Sequence, residues 1–331
     1  MIEVVLINRD GERWDISELV GKLKIKTSRI GKAGSLSLDF LKAAIYQSKM
    51  FKYNNGDVVE VRKDGKRIFY GYIFEIKGGR DEQVSLTVYD QIRYLMNTET
   101  YVFENVTATQ IVERIAKEYK LTVGKLADTE HVITHLVADA QKLLDIIDKA
   151  IVLTFHHKGK DYCLFDDAGN LSLRSIDEEV TDIVIGPGSL LYDYSVSESI
   201  DEDTYNQFKL YRDNEETGKR DIFMVKDSNN IARWGLLQHH ESIDDKLNTE
   251  QISELLNNLA LLKNRETISL QVDAIGNIAV RAGMRVRIQI PEYSIDEALL
   301  VNECTHQFDG AEHTMSLELK VIKLDESTID N

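Results

Sequence analysis

The sequence predicts a β-rich α+β protein in which two β-domains are separated by a block of helices and hairpins. Three observations predict this class. Apolar and polar residues alternate along many short segments, the pattern of half-buried strands. Glycine-containing turn pairs separate those segments. Only three longer stretches carry the apolar spacing of an amphipathic helix.

The first hundred residues read as strands. Leu36, Leu38 and Phe40 alternate with polar residues, which predicts a strand with one buried face. Asp64-Gly65 lies between the β-rich runs VVEV and RIFYGYIFEIK, and this is the signature of a hairpin with a tight turn. The run YDQIRYLM, residues 89–96, predicts a short helix at the end of a strand.

Helix signals then appear. Thr107 and Gln110 have the spacing of a capping box, which predicts a helix that starts beside them. A second helix is expected to begin at Asp139, followed by short strands at 153–159, 161–167 and 170–176. A third helix is expected over about 248–263, with Asn248 and Gln251 as its capping box.

Domain boundaries follow from the turn residues. Gly186-Pro187-Gly188 interrupts any regular element and marks the best boundary. The glycine-opened strands after Gly56 and after Gly283 follow the same order, which fits either a duplication or two unrelated meanders. The expected division is 1–102, 103–186 as an inserted α+β domain, 187–325, and a polar tail at 326–331. Strands near 190–240 are expected to pair with either β-domain.

Composition limits the function classes. The chain has 331 residues, 43% of them hydrophobic, which is enough for a buried core. No apolar run is long enough to span a bilayer, and the first residues do not resemble a signal peptide. Two distant cysteines, Cys163 and Cys304, favour a reducing cytoplasm. The net charge of −16 opposes stable nucleic-acid binding; it serves solubility or lines a path that a nucleic acid crosses.

No motif predicts chemistry. His131 and His135 have helical spacing, but Val132 stands where a metalloprotease helix carries glutamate. The adjacent pairs His156-His157 and His239-His240 would point to opposite faces of a strand. The acidic run at 201–203 is typical of a solvated loop. We therefore predict no catalytic, cofactor-binding or metal-binding residue, no cofactor, and no enzyme.

Several segments resemble tail proteins of phage-like elements, the XkdQ/YqbQ type. They are GKAGSLSLDF (31–40), GDVVEVRKDGKRIFYGYIFEI (56–76), YDQIRYLMNTETYVFENVTATQIVERIA (89–116), DTYNQFKLY (203–211), the stretch 217–241 with RWGLLQ, and GNIAVRAGMRVRI (276–288). The run through YDQIRYL is the most specific of them. The resemblance covers most of the chain and is weakest between about 121 and 190.

The resemblance implies a baseplate hub of a contractile tail, in a phage, a defective prophage, a bacteriocin or a secretion machine. It implies two domains like the β-barrel of the tail tube, and a homotrimer that presents six such domains to a six-fold tube. The implied partners are the tail tube, spike or tip, tape measure and baseplate proteins. DNA would cross the lumen of an infectious particle without stable binding. Assembly would take place in the bacterial cytoplasm and end in the tail baseplate of the particle.

Two alternatives from other classes remain open at this point. One is a tail-associated peptidoglycan hydrolase, which needs a pair of carboxylates that the sequence does not single out. The other is a tail module that binds cell-surface carbohydrate, which needs exposed aromatic residues along a groove.

Overall fold

The computed structural model describes residues 1–42, 48, 50–80, 82–201, 203–214, 218–243 and 247–321. They form four α-helices, namely α1 (Ala108–Glu118), α2 (Leu143–Lys158), α3 (Ser228–Trp234) and α4 (Thr249–Lys263). Short 3-10 helices cover Gln91–Met96, Ile176–Glu178 and Pro291–Tyr293.

Strands make up most of the regular structure. They are β1 (Ile2–Ile7), β2 (Arg13–Asp15), β3 (Val20–Ser28), β4 (Ser35–Leu41), β5 (Val58–Lys63), β6 (Lys66–Gly78), β7 (Gln83–Tyr89), β8 (Thr98–Val106), β9 (Val123–Leu126), β10 (Ile133–Lys142), β11 (Tyr162–Asp166), β12 (Leu171–Ser175), β13 (Val180–Ile185), β14 (Leu191–Ser199), β15 (Gln207–Asn214), β16 (Lys219–Lys226), β17 (Gln238–Ser242), β18 (Thr267–Ile275), β19 (Arg285–Ile290), β20 (Ile295–Asp309) and β21 (Glu312–Val321).

The chain forms two compact units. Unit 1 comprises Met1–Tyr194 and Gln271–Leu319, and unit 2 comprises Ser195–Leu270 with Lys320 and Val321. Strands β14 and β18 carry the chain from one unit into the other.

A 13-stranded sheet dominates unit 1, and its strand order contains an internal repeat. The order runs β14-β18-β21-β20-β3-β4-β7-β6-β5-β1-β2, and β19 pairs with both β20 and β13. The run β3-β4-β7-β6-β5-β1 therefore matches the run β14-β18-β21-β20-β19-β13 strand for strand in chain order. We call these runs the first and the second repeat. The two repeats differ in the direction of their last strand, because β1 is antiparallel to β5 whereas β13 is parallel to β19.

The two repeats are joined because β3, the edge strand of the first repeat, pairs with the second half of β20, from Ser28↔Glu303 to Lys22↔Asp309. The first half of β20 pairs with β19 inside the second repeat. The core of the first repeat contains apolar residues from β1, β3, β4, β5, β6 and β7, and also Phe308 from the end of β20. The second repeat thus contributes to the core of the first.

A helical lobe separates the repeats along the chain. It consists of the ribbon β8–β10, the helices α1 and α2, and the small sheet β11-β12-β9. The lobe has a hydrophobic core of its own, in which α1 and α2 bury Ile111, Ile115, Ile147 and Ala150 completely.

Unit 2 has a simpler architecture. Its three strands pair with one another in the order β16-β15-β17, and α4 covers one face of that sheet. Phe208 and Leu210 on β15 pack there against Ile252 and Leu256 on α4. The short helix α3, capped by Asp227, was not predicted from the sequence.

The predictions that depend on a few neighbouring residues are confirmed. Asp64 and Gly65 both have positive φ, 51° and 78°, as the predicted tight hairpin between β5 and β6 requires. Thr107 and Asn248 form the two predicted capping boxes, with Gln110 and Gln251 respectively. The predicted short helix after Tyr89 is the 3-10 helix Gln91–Met96.

The predicted start of the second helix, at Asp139, is wrong. Strand β10 continues through Asp139 to Lys142 because its backbone still pairs with β8 after a register shift that follows Ala138. Helix α2 begins at Leu143, and it includes residues 153–157, which were predicted as a strand. Thr154 is fully buried on the helix and donates to the carbonyl of Ala150 at 2.9 Å.

The β-rich α+β class is confirmed, whereas closure of the sheet into two barrels stays a prediction. So does the division into 1–102, 103–186, 187–325 and 326–331, and the polar tail lies outside the described residues. None of the described helices has the length and apolar character that a transmembrane segment needs.

Candidate functional site

Of the histidines singled out in the sequence, the structure brings His131 and His157 together. His131 stacks on His157 with ring centroids 4.3 Å apart, and His135 lies 4.0 Å from Glu104. Nitrogen lone pairs lie in the ring plane, so parallel stacked rings do not aim at one ion. His239 and His240 contact different rings, Tyr205 and Tyr211.

Within the described part of the chain, no three His, Cys, Asp or Glu side chains are grouped as metal ligands. In the acidic run, Asp203 forms an ion pair with Lys263 at 3.3 Å, and residue 202 lies outside the described residues. The expectation of no catalytic, cofactor-binding or metal-binding residue remains a prediction.

The segment 89–96, the most specific part of the resemblance, forms a joint between the large sheet and the helical lobe. Asp90 follows β7 and is 6% exposed. Its carboxylate accepts from the backbone N–H of Gly34 at 2.9 Å, beside β4, and from that of Ile92 at 3.0 Å, in the 3-10 helix. The Asp90 side chain therefore binds the segment that precedes β4 and also caps the 3-10 helix that follows β7.

Gln91 makes the second connection of the joint. Its amide nitrogen donates to the carboxylate of Asp166 at 2.7 Å and to the carbonyl of Thr122 at 3.1 Å. Its amide oxygen accepts from the N–H of Thr122 at 2.9 Å. Three segments that are distant in sequence are thus held by one buried glutamine.

Apolar residues of the joint contact both the helical lobe and the large sheet. Ile92 and Leu95 enter the core of the helical lobe. Tyr94 contacts Tyr72 and Phe74 on β6, with ring centroids 5.4 and 5.8 Å apart. The 3-10 helix is therefore packed on both sides, which makes the joint rigid rather than hinge-like.

Strand β6 approaches this joint closely at Gly71. A β-carbon at that position would lie 2.4 Å from the carbonyl oxygen of Tyr89. Only glycine fits between the two backbones, so this position of the sequence is dictated by packing of β6 on β7.

Burial changes the acid–base behaviour of the joint. The pKa of Asp90 is raised, first by burial and then by the nearby Asp166 carboxylate. Burial likewise raises the pKa of Asp166 to about 6, against hydrogen bonds from Gly169 and Gln91 that lower it. Two carboxyl groups held this way belong to a structural joint because their hydrogen-bond partners among the described residues are protein N–H donors.

Two shallow clefts among the described residues have volumes of about 300 and 370 Å³ and are lined mainly by polar and charged residues. The larger contains Lys26 and Lys32, both bound to Glu303, at 2.5 and 2.8 Å. Enclosed ligand sites are usually apolar with a few polar groups, and these clefts are not of that kind.

Exposed apolar side chains instead lie on an open sheet face in unit 2. Ile222 and Met224 on β16 are 56% and 53% exposed, on the face of the sheet that α4 does not cover. Tyr211 lies beside Ile222 in the register and stacks under the Arg220 guanidinium at 4.5 Å.

Comparison with known proteins identifies the family of the chain. A model of the YQBQ-like family matches residues 23–320. This chain belongs to the YQBQ-like family. The resemblance read from the sequence is therefore confirmed at the family level.

This YQBQ-like protein is similar to tail proteins and to a protein of a phage-like element. It is 31% identical over 272 residues to the phage-like element PBSX protein XkdQ of Bacillus subtilis, covering 81% of this chain and 82% of XkdQ. It shares the fold of the 43 kDa tail protein of prophage MuSo2 from Shewanella oneidensis, with a TM-score of 0.71, 14% identity, and coverage of 96% and 98%. A tail protein from Neisseria meningitidis also gives a TM-score of 0.71, at 12% identity, with coverage of 98% and 97%.

The sequence did not reveal Asp90, Gln91 and Asp166 as a group. Asp90 and Gln91 stand in the most specific motif, but their partner lies 75 residues further along the chain. A local pattern carries no information on such a pairing.

Proposed function

We propose that this YQBQ-like protein is a structural component of a phage-type tail, and that it acts as the baseplate hub between the tail tube and the tip. The observation that carries the proposal is whole-chain similarity to tail proteins, over 96% or more of both chains in each comparison. The relation to XkdQ of a phage-like element supports the same role at the level of sequence.

The internal repeat supports the hub role specifically. Two runs of six strands with one order, β3-β4-β7-β6-β5-β1 and β14-β18-β21-β20-β19-β13, fit the proposal that each subunit presents two tube-like domains. Three subunits would then offer six such domains to a six-fold tube, and a closed ring would cover the exposed sheet edges. The proposed partners are therefore two other copies, the tube protein, the tip or spike, the tape measure and the baseplate proteins.

We further propose that the protein works without catalysing a reaction. Its buried carboxyl groups at the joint bind backbone and amide N–H groups. Asp10 and Asp57 both line the smaller cleft, but Asp57 accepts from the side-chain amide of Asn8 and the backbone N–H of Asn54, and Asp10 accepts from the N–H of Glu12. Purified protein incubated with peptidoglycan should release no soluble fragments. Release that disappears in an Asp166→Asn variant which still folds would overturn this part.

The hub role is tested by deleting the gene in the host element and supplying it again from a plasmid. We expect the deletion to abolish tails that carry a tip, because the tube would lack its attachment, and the plasmid copy to restore them. Electron microscopy of purified particles reads the result. Complete tails that form in the absence of this chain would contradict the proposal.

A further inference from the structure

A polar relay runs between the two repeats through two histidines. The Lys63 ammonium, at the end of β5, lies 2.7 Å from Nδ1 of His313 on β21. Nε2 of His313 lies 3.0 Å from Nδ1 of His306 on β20. Nε2 of His306 lies 2.8 Å from the carbonyl oxygen of Val280. We call these four groups the relay.

The relay joins strands that are far apart in the sheet. Along the strand order, β20 is followed by β3, β4, β7 and β6 before β5 is reached. The sheet must therefore curl to bring Lys63 back to β20 and β21. Phe308 strengthens the contact, since its ring stacks on His313 at 4.1 Å and lies 5.3 Å below the Lys63 ammonium.

Hydrogen-bond chemistry fixes the proton on each ring. An ammonium has only donors, so Nδ1 of His313 accepts from Lys63, and Nε2 of His313 carries the hydrogen. That hydrogen is donated to Nδ1 of His306, whose Nε2–H is then donated to the Val280 carbonyl, which only accepts. Both histidines are thus neutral, and every donor in the relay meets an acceptor.

The same chemistry shows what a proton would do. Each Nδ1 is the sole acceptor of its ring and is already occupied. Protonated His313 would turn an N–H toward the Lys63 ammonium, and protonated His306 would turn one toward the N–H of His313. In either case two donors face each other, so one hydrogen bond of the relay is lost.

Neighbouring elements provide little compensation for an added charge. His306 is 7% exposed and is flanked in the sheet by Ile25 on β3 and Met315 on β21. Four other titratable groups lie nearby. Asp64 binds the amino terminus of Met1, and Arg281 binds Glu179 at 2.6 Å. The Cys304 thiol lies 3.4 Å from His306, and Glu312 is the acidic residue that precedes His313 in the sequence.

We propose that the relay is an acid-sensitive latch between the two repeats, closed while both imidazoles are neutral and opened when either one is protonated. The direction of the pKa shifts agrees with this geometry. Burial, followed by His306 and Lys63, lowers the pKa of His313 to about 4. Burial also lowers the pKa of His306, against the hydrogen bond to Val280.

The sign follows from linkage. The unfolded chain binds a proton to His313 near its ordinary pKa of 6.5, whereas the folded protein resists protonation until about 4. Stability from the latch is therefore complete above pH 6.5 and is lost as the pH falls toward 4.

The first test is nuclear magnetic resonance of full-length protein labelled with 15N and 13C at histidine. We expect His306 and His313 to show the Nε2–H tautomer at pH 7.5 and to titrate well below 6.5. The amide of Gly276, which donates to the carbonyl of His313 at 2.8 Å, should exchange about tenfold faster near pH 4.5 after correction for the intrinsic rate. An Nδ1–H tautomer of either ring, or titration at 6.5 or above, would overturn the latch.

The second test uses a matched pair of variants. Lys63→Met removes the first donor and the nearest positive charge, so the pKa of His313 should rise by about one unit and the opening should shift to higher pH. Lys66→Met removes a lysine directly opposite Lys63 in the same hairpin and should leave the titration unchanged. Equal shifts in both variants would indicate a general charge effect and refute the relay.

Discussion

Single buried side chains hold distant parts of unit 1 together. Asp90 accepts from two backbone N–H groups, one beside the large sheet and one in the 3-10 helix that leads into the helical lobe. Removal of a buried acceptor leaves its donors without partners, and each such donor costs about 1–3 kcal/mol.

The first prediction concerns that acceptor. We expect Asp90→Ala to lower the free energy of unfolding of unit 1 by about 2–4 kcal/mol. Asp90→Asn, which keeps one acceptor oxygen, should cost less. Urea unfolding followed through Trp14, in a Trp234→Phe background, reports on unit 1 because each unit contains one tryptophan. Asp182→Ala, at an exposed position of β13, is the control and should change little. A similar loss in the control and in Asp90→Ala would contradict the role of the joint.

A second residue-scale prediction concerns pH. Burial, helped by Asp145, raises the pKa of Asp148 on α2 to about 6. The folded protein therefore binds this proton more tightly than the unfolded chain, and its contribution to stability falls as the pH rises from about 4 to 6. Asp148→Asn should remove this slope, with a gain of about 1–2 kcal/mol at pH 7 and no gain below pH 4. Asp145→Asn, on the exposed side of α2, should give a smaller change of the same sign. Unfolding curves measured from pH 3.5 to 7.5 check both, and a gain that is equal at all pH values would contradict the assignment.

At the scale of elements, the sequence was informative wherever neighbouring residues decide the structure. The capping boxes at Thr107 and Asn248 and the Asp64-Gly65 turn were predicted because their hydrogen bonds and φ angles are local. Helix α2 was partly misread because the run at 153–157 fits a strand as well as a helix until the buried stripe from Leu143 onward is known.

Non-local pairing explains the rest of what the sequence could not predict. The strand order of the two repeats depends on partners up to hundreds of residues apart, as in the pairing of Thr27 with Cys304. The same holds for the joint at Asp90 and for the relay through Lys63 and His313. Shared turn glycines indicated a repeat, but only the strand order distinguishes a common arrangement from two unrelated meanders.

An element-scale prediction separates the two faces of the unit 2 sheet. Phe208 is 1% exposed and packs beneath α4, so Phe208→Ala should cost about 3–5 kcal/mol in unit 2. Ile222, on the open face, should tolerate alanine within about 0.5 kcal/mol. Unfolding followed through Trp234 in a Trp14→Phe background measures both. A large loss in Ile222→Ala would show that the open face is packed in the isolated protein.

At the scale of the whole molecule, the repeat is the feature with the greatest consequence. Two six-strand runs of one order pair with each other through β3 and β20, and a helical lobe and unit 2 are added along the chain without changing that order. Such an arrangement suits a protein that presents similar surfaces twice per subunit. It fits the proposed hub, which would match the three-fold symmetry of the tip to the six-fold symmetry of the tube.

We propose that the protein is a hub in which each subunit presents two tube-like repeats. Cryo-electron microscopy of purified particles tests it most directly, by determining the copy number and symmetry of this chain at the end of the tube. We predict a ring of three copies whose six repeats face the last six-fold ring of the tube. A chain that is missing from the tube end, or present there in six copies with one repeat each against the tube, would contradict it.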